Sequence, residues 1–440
     1  MIGYAARPQP DIVLAAGLRT PWARAGGRFA KEDAGHLGAV VARELLARTG
    51  VDPAQLAEVV VGCVGPAHDQ VNVGRVVALR AGVPRHVPAR TVARNCASGI
   101  EAVTCAAADI AAGVGELYLC VGVEVMSAYP LTYGPQMTDL FARLTRAKSV
   151  GQRLAALARF RPRFLAPRVA LTEGLTDPIS GLIMGKTAEI LAREFDIGRR
   201  EADEYACESH RRAQAARDAG RLAREIVPVL PLGAGTGAKT LAHDDSIRDG
   251  QTVEALAKLR PYFEKPDGRV TVGNSCGITD GAAALLVTTA DRARALGLTP
   301  LARLKSYAWA GCDPARMGLG PVFASSKALD LAGATLADMG LVEINEAFAA
   351  QVLACAKAFA SDAFAREHLG RERALGPLDF AKTNVNGGAI ALGHPVGATG
   401  TRLLLTLAHE MALREVGLGL ATLCIGGGQG GAVVLERMRR

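Results

Sequence analysis

The sequence predicts an α/β protein whose helices pack on a largely buried sheet, built from two copies of one unit with a region inserted between them. Three observations carry this expectation. Short β-branched runs alternate with Ala- and Leu-rich stretches along most of the chain, as they do where helices cover a buried sheet. Glycine supplies 50 of the 440 residues, a surplus suited to tight turns and close backbone approaches. A helix followed by a strand with a Cys-[Val/Ile]-Gly ending occurs twice, in Asn95–Gly113 with Gly115–Val123 and in His394–Arg414 with Gly417–Gly426; Cys120 and Cys424 lie 304 residues apart.

Taken in order, Ile12–Ala15 and the Val-rich Glu58–Cys63 read as strands on either side of a helix over Gly35–Thr49. An Ala-rich helix over Gly99–Ala112 leads into a strand at Leu117–Val121. From Met126 to about Gly277 the chain turns charged and turn-rich, which reads as the insertion, with helices at Lys186–Phe195 and Arg199–Ala219. Within it, Phe141, Leu144, Val150, Leu154, Leu157 and Phe160 fall near helical spacing, and Pro162 and Pro167 end the run; a basic amphipathic helix is expected there. Alternation resumes with strands at Ala284–Thr288, Leu301–Ala308 and Met339–Ile344 and a helix over Phe348–Ala360. The helix Gly400–Arg414 and strands Ala421–Ile425 and Ala432–Leu435 close the chain. The expected units are 1–125 with 279–300, an inserted 126–278, and 301–440.

Composition narrows the function classes. The chain has 49% hydrophobic and 21% charged residues, which is globular composition and excludes disorder. Its net charge of +8 resides in the 33 residues 140–172, which hold eight basic side chains (Arg143, Arg146, Lys148, Arg153, Arg159, Arg161, Arg163, Arg168) and no acid. Such a segment suits an anionic membrane surface, a docking partner or an anionic substrate, or is simply a solvated face. With the rest of the chain neutral, nucleic-acid binding is not expected. No apolar run approaches the ~20 residues of a membrane span, and Met1–Thr20 carries neither a secretory nor a transit pattern, so a cytoplasmic location, with possible peripheral membrane contact, is expected. Nine scattered cysteines without a C-x-x-C pair read as reduced thiols, neither a disulfide scaffold nor a metal site.

Two motif matches fail. Gly426–Gly431 satisfies G-x-G-x-x-G but opens a strand pattern close to the end of the given sequence, with no following helix and no ribose-binding acid. Gly273-Asn-Ser-Cys-Gly277 satisfies G-x-S-x-G, yet Thr279-Asp280-Gly281 breaks the helix that a Ser275 hydrolase would need. A stronger signal is Arg94-Asn-Cys-Ala-Ser-Gly-Ile100. Cys96 lies at a predicted helix N-terminus, where free N–H groups and the dipole lower a thiol's pKa and can hold an oxyanion; a cysteine is otherwise often a small buried apolar residue. A base and a polar orienter are available in His394, set in the Gly-rich turn Asn384–Gly400, and in Asn345 of Glu343-Ile-Asn-Glu-Ala-Phe348. Cysteine, histidine and asparagine together suit acyl transfer.

These blocks resemble the thiolase superfamily. Asn95-Cys96-Ala-Ser-Gly, Asn345–Phe348, Asn386–Gly400 with its Gly-His-Pro, and Cys424-Ile-Gly426 stand in the family's order and approximate spacing, and Leu18-Arg-Thr-Pro21 and Met184-Gly-x-Thr-Ala-Glu189 fit as well. The resemblance implies a duplicated thiolase fold, five layers α-β-α-β-α with an inserted loop domain. Within the family the chain is most similar to fatty-acid-degrading 3-ketoacyl-CoA thiolases of the trifunctional-complex β-subunit type, through Leu157–Pro167.

Carried over residue by residue, the resemblance implies that Cys96 takes the acyl group and His394 deprotonates it. N–H groups of Cys96 and Gly426 would hold the oxyanion, Asn345 would hold a water on the enolate oxygen, and Cys424 would protonate the enolate. Coenzyme A enters as co-substrate beside acyl-CoA, with no resident cofactor and no metal; Ser275 and Cys276 stand where the family contacts it. A homodimer is implied, with a hydratase/dehydrogenase α-subunit as a possible partner and residues 140–172 as a possible membrane contact. Ile183 before Met184-Gly185, where acetoacetyl-CoA-specific relatives have His, implies medium to long acyl chains. The expected reaction is thiolytic cleavage of 3-ketoacyl-CoA, the last step of fatty-acid β-oxidation; the rivals are acetoacetyl-CoA thiolase chemistry and a non-catalytic lipid-binding scaffold. Glu346 reads as structural.

Overall fold

The computed structural model describes residues 10–235 and 237–438. The first nine residues, on which part of the targeting expectation rests, lie outside that range. Twelve strands are present among the described residues: β1 Ile12–Arg19, β2 Ala23–Arg24, β3 Glu58–Gly62, β4 Ala89–Val92, β5 Leu117–Val125, β6 Leu131–Tyr133, β7 Pro167–Val169, β8 Thr279–Thr289, β9 Ala302–Gly311, β10 Leu341–Ile344, β11 Leu418–Ile425 and β12 Gln429–Glu436. Helices of eight or more residues are α1 Ala34–Thr49, α2 Val73–Arg80, α3 Ser98–Ala112, α4 Pro135–Arg146, α5 Val150–Leu157, α6 Met184–Glu194, α7 Arg199–Asp218, α8 Gly320–Ala332, α9 Ala349–Phe359 and α10 Val396–Arg414.

All strands except β6 and β7 join one sheet in the order β10-β11-β12-β9-β1-β8-β5-β3-β4, with β2 on β8. The order contains the same unit twice. In one half β3 and β5 are parallel and β8 and β1 follow antiparallel; in the other β10 and β11 are parallel and β12 and β9 follow antiparallel. The halves meet through a short antiparallel contact, Val13 with Arg303 and Leu14 with Ala302. Where β11 turns directly into β12 through three glycines, the chain between β5 and β8 instead makes a long excursion, and Val125 still pairs with Asp280 at its return.

Alternation along the strands sorts their side chains into layers, because successive residues face opposite sides of a sheet. Val59, Val61, Leu119 and Val121 pack under α1 and α2, whereas Val60, Tyr118 and Cys120 face α3 and α10. On the other half Ala421, Leu423 and Ile425 face those same two helices, and Leu420, Cys424 and Val434 pack with α8 and α9. The layers therefore run helix, sheet, helix, sheet, helix, as expected, with α3 and α10 buried in the middle. Glycine makes that middle layer possible: a Cβ on Gly400 would lie 2.6 Å from the Ile100 nitrogen, and one on Gly99 would lie 2.6 Å from the Thr401 nitrogen.

Several sequence expectations need correction. The basic segment is not one helix. It breaks at Ala147–Ser149 into α4 and α5, because Ser149 is extended and its hydroxyl caps the Gln152 N–H, and it ends in a short 3-10 turn, Pro162–Leu165. Strand β1 runs on to Arg19, whose guanidinium is fully buried between Glu225 and Asp244 at 2.7 Å each. Strand β8 begins at Thr279 rather than Ala284, because Asp280 accepts the Ser127 N–H at 2.8 Å and Gly281 lets Trp22 lie against the backbone. Helices α2 and α8 and the strands β2, β4, β6 and β7 were not expected. The sequence of α2 is rich in Val and that of α8 opens Gly-Pro and carries two serines, so tertiary packing overrides weak local preference in both. No helix among the described residues is long and apolar enough to cross a membrane.

Candidate active site

The N-termini of the two middle-layer helices converge, and the cysteine and histidine blocks are placed there. Ahead of α3 the chain turns through Asn95 in the left-handed region, φ 44°, a conformation that asparagine tolerates better than most residues. The turn is held by Ser98, whose hydroxyl accepts the Arg94 N–H at 2.9 Å and donates to the Asn95 carbonyl at 2.7 Å. Cys96 follows, half-buried, and the backbone N–H of Gly426 lies near enough to its sulfur to favour the thiolate. Gly426 opens the turn Gly426-Gly427-Gly428 between β11 and β12, so the nucleophile candidate and the oxyanion donor come from opposite halves of the chain.

The thiol's acidity corrects the sequence expectation. Burial raises the Cys96 pKa above its ordinary value, and the Gly426 and Cys96 N–H groups only partly oppose this; the nearby Glu124 carboxylate adds to the rise. The resting thiol is therefore protonated and needs a base.

His394 stands on the turn before α10. Gly393, φ 102°, makes the bend, and the His394 N–H donates to the Gly277 carbonyl at 3.0 Å. Thr399 donates its hydroxyl to the Pro395 carbonyl at 3.0 Å, so at 2.6 Å it accepts from His394 Nδ1–H. That assigns the tautomer with the lone pair on Nε2, which faces the Asn345 Nδ2 donor at 3.5 Å. Burial, with a smaller contribution from the Arg402 cation, lowers the His394 pKa to about 3, so the ring is neutral near neutral pH.

Asn345 follows β10 and is fixed by its N–H on the Thr422 carbonyl at 3.0 Å; its Oδ1 is buried without a partner among the described residues. Two further thiols share the site. Cys424, near the end of β11, is buried, and burial together with the Cys96, Cys355 and Cys276 sulfurs pushes its pKa well up. Burial and the Cys96 sulfur likewise push Cys276 up to about 12. The loop bearing Cys276 is stitched to the Asn345 block by the Cys276 N–H on the Ala347 carbonyl at 3.0 Å.

The structure thus brings together Cys96, Gly426, Cys424, Cys276, His394 and Asn345. Ser275 is set apart, because its hydroxyl donates to the Thr271 carbonyl at 2.6 Å and the residue is buried. Glu346 is occupied by Tyr205 (3.1 Å), Ser209 (2.6 Å), Asn384 (2.8 Å) and the Ile390 N–H (3.2 Å), which is a structural position. Sequence reading missed Glu124, whose carboxylate ties the N–H groups of Val64, Gly65 and Gly397 at 2.9 to 3.0 Å and so joins the first half to α10. It also missed Thr399, for which the spacing of five residues from His394 at a helix start was the only signal.

The chain matches known proteins over nearly its whole length. The family model "Thiolase, N-terminal domain" matches residues 12–291, and "Thiolase, C-terminal domain" matches residues 298–437. An acetyl-CoA acetyltransferase of Cupriavidus necator is 43% identical, covering 97% of this chain and 99% of its own. A 3-ketoacyl-CoA thiolase of Pectobacterium carotovorum is 41% identical, covering 97% and 96%. Among solved structures, human mitochondrial 3-ketoacyl-CoA thiolase in complex with CoA superposes with a TM-score of 0.83 at 36% identity, covering 98% of this chain and 99% of that one. The Bacillus anthracis acetyl-CoA acetyltransferase gives 0.85 at 35% identity, with the same coverage.

Proposed function

Because this chain belongs to the thiolase family of acyltransferases, we propose that it cleaves medium- to long-chain 3-ketoacyl-CoA with coenzyme A, through an acyl group carried on Cys96. The observation that supports this best is the meeting of Cys96 with the Gly426 N–H beside a neutral histidine whose lone pair is on Nε2. His394 Nε2 takes the Cys96 proton, and the sulfur attacks the 3-keto carbon. The resulting oxyanion accepts from the N–H groups of Cys96 and Gly426, which are preorganised and need no rearrangement as charge develops. Collapse breaks the bond between the second and third carbons and leaves the acyl group on Cys96 and its electron pair in the acetyl-CoA enolate.

The enolate oxygen is met by protonated His394 and by a water held on Asn345 Oδ1, an acceptor without a partner among the described residues. Cys424 protonates the enolate carbon. A second CoA thiol, deprotonated by the Cys424 thiolate, or by His394 once it has passed its proton to Cys424, then takes the acyl group and frees Cys96. Coenzyme A is a co-substrate in this scheme and no resident cofactor or metal is required. For its contact we propose Cys276, half-buried in the thiol cluster, with Ser275 shaping the loop.

Ile183 ahead of Met184 carries the preference for longer chains. The acetyl-CoA acetyltransferases among the relatives favour a second reading, in which the same groups act on acetoacetyl-CoA. We further propose the division 1–125 with 279–300, 126–278 and 301–440, which the pairing of Val125 with Asp280 supports, a homodimer as the working unit in the cytoplasm, and a hydratase/dehydrogenase α-subunit or an anionic membrane as what the basic segment meets. Turnover of 3-ketoacyl-CoA of four, eight and sixteen carbons, with CoA, tests the substrate reading. Faster cleavage of the two longer chains is expected; exclusive use of the four-carbon substrate would turn the assignment to the second reading.

A further inference from the structure

A turn of three consecutive glycines is a poor place to mount an oxyanion donor unless something else fixes it. Gly427 and Gly428 both lie in the left-handed region, φ 89° and 77°, and Gly426 carries no side chain that could lock its own torsions. The far end of the turn is held by the Cys312 N–H on the Gly428 carbonyl at 2.7 Å. At the near end, the Gly426 carbonyl accepts from Asn95 Nδ2 at 2.8 Å.

Asn95 is the residue immediately before Cys96, and its own setting is rigid. Arg94 is bound through two nitrogens to Glu101, at 2.7 and 3.1 Å, and its guanidinium lies 4.3 Å from the centre of the Trp309 ring on the opposite half. The same guanidinium reaches Gln429, just beyond the glycine turn, at 3.4 Å. Ser98 braces the Arg94-Asn95 backbone from the helix side.

We propose that Asn95 is a positioning residue for the acyl-transfer reaction: its side-chain amide ties the Gly426 carbonyl to the turn that bears the nucleophile, and so keeps the Gly426 N–H aimed at the Cys96 sulfur. The inference rests on the reading of Cys96 and Gly426 given above. It assigns to the left-handed turn a purpose beyond exposing the thiol, since the turn carries the Asn95 side chain across the junction between halves to the Gly426 carbonyl. Asn95 touches neither acyl group nor coenzyme in this scheme; it acts through Gly426.

The test compares wild type with Asn95→Gly and Asn95→Asp, using steady-state kinetics and the rate at which Cys96 becomes acylated in a single turnover. Glycine accepts the left-handed backbone without strain, so Asn95→Gly removes the tether and leaves the turn its conformation. Asn95→Asp keeps the shape but sets a carboxylate against a carbonyl. The expected result for Asn95→Gly is a fall of about tenfold in kcat and in the acylation rate, the kinetic equivalent of one hydrogen bond, with KM within about twofold of wild type. Asn95→Asp falls further. A kcat for Asn95→Gly within about twofold of wild type, or a loss confined to KM, would overturn the proposal while leaving Cys96 as the acyl carrier. Absence of any adduct on Cys96 in the wild-type protein would overturn the underlying reading instead, and this inference with it.

Discussion

Cys96 and His394 begin as two neutral groups held so by burial, and the chemistry follows from that. Because the thiol pKa lies above its ordinary value and the imidazole pKa falls to about 3, neither group changes charge across neutral pH in the free protein. The sign is then fixed: kcat/KM stays flat from about pH 6 to 8, with no inflection at the ordinary histidine value of about 6.5, and a pH–rate profile checks this. Truncation of Asn345 to alanine removes the group that faces His394 Nε2 and that the proposed mechanism uses to hold the enolate's water, so kcat is expected to fall by about 10²- to 10³-fold, measured against an unchanged fold by circular dichroism. At this scale the sequence was informative about identity and silent about environment. The four blocks name Cys96, Asn345, His394 and Cys424, but nothing local to Cys96 tells that burial outweighs the helix N-terminus. Glu124 could not be found either, because a lone glutamate closing a strand has no periodicity or partner in sequence.

The helices α3 and α10 place the two blocks, and their contact is made by absent side chains. Replacing Gly400 by alanine puts a methyl group 2.6 Å from the Ile100 nitrogen, and backbone cannot yield as a flexible side chain can. The expected cost is about 1 to 3 kcal/mol, read as a lower Tm, together with a loss of turnover as the His394 turn is displaced from Cys96. The basic segment makes a different kind of prediction. Phe141, Val150, Leu154 and Leu157 are exposed on α4 and α5, and of its eight cations only Arg143 and Arg168 make ion pairs among the described residues. Reversing the charge of Arg153, Arg159 and Arg161 is expected to leave turnover of soluble substrate intact and to abolish sedimentation with anionic vesicles or binding of the α-subunit; lost turnover with binding unchanged would contradict that role. Long periodic elements such as α1, α3 and α7 were legible because their apolar positions repeat. The break at Ser149 was not, since one capping hydroxyl decides it and the flanking apolar spacing continues across it.

At the scale of the molecule, the duplicated unit explains why one sheet carries two helix–strand modules and why the site lies where their middle helices meet, although Cys120 and Cys424 face opposite sides of the sheet and are not equivalent positions. The repeat was visible in the sequence; the joining of both halves through a two-residue strand contact was not, because pairing between distant strands leaves no local pattern. The same burial sets the acid response. His394 and His210, with pKa values lowered to about 3 and about 4, and His409, also lowered, stay neutral when folded but take up protons near pH 6.5 when unfolded. Their stabilisation is complete above about pH 6.5 and is lost as pH falls, with Glu343, raised to about 7, acting in the opposite sense between about pH 4.5 and 7. The central claim, that a single thiol carries the acyl group between two halves of the chain, is tested most directly by mass spectrometry of the protein quenched during turnover of a 3-ketoacyl-CoA, in wild type and Cys96→Ser. An acyl mass addition on the peptide bearing Cys96, absent from the serine variant, is the predicted result; turnover with Cys96 unmodified, or an adduct on Cys276 or Cys424 that survives in Cys96→Ser, would contradict it.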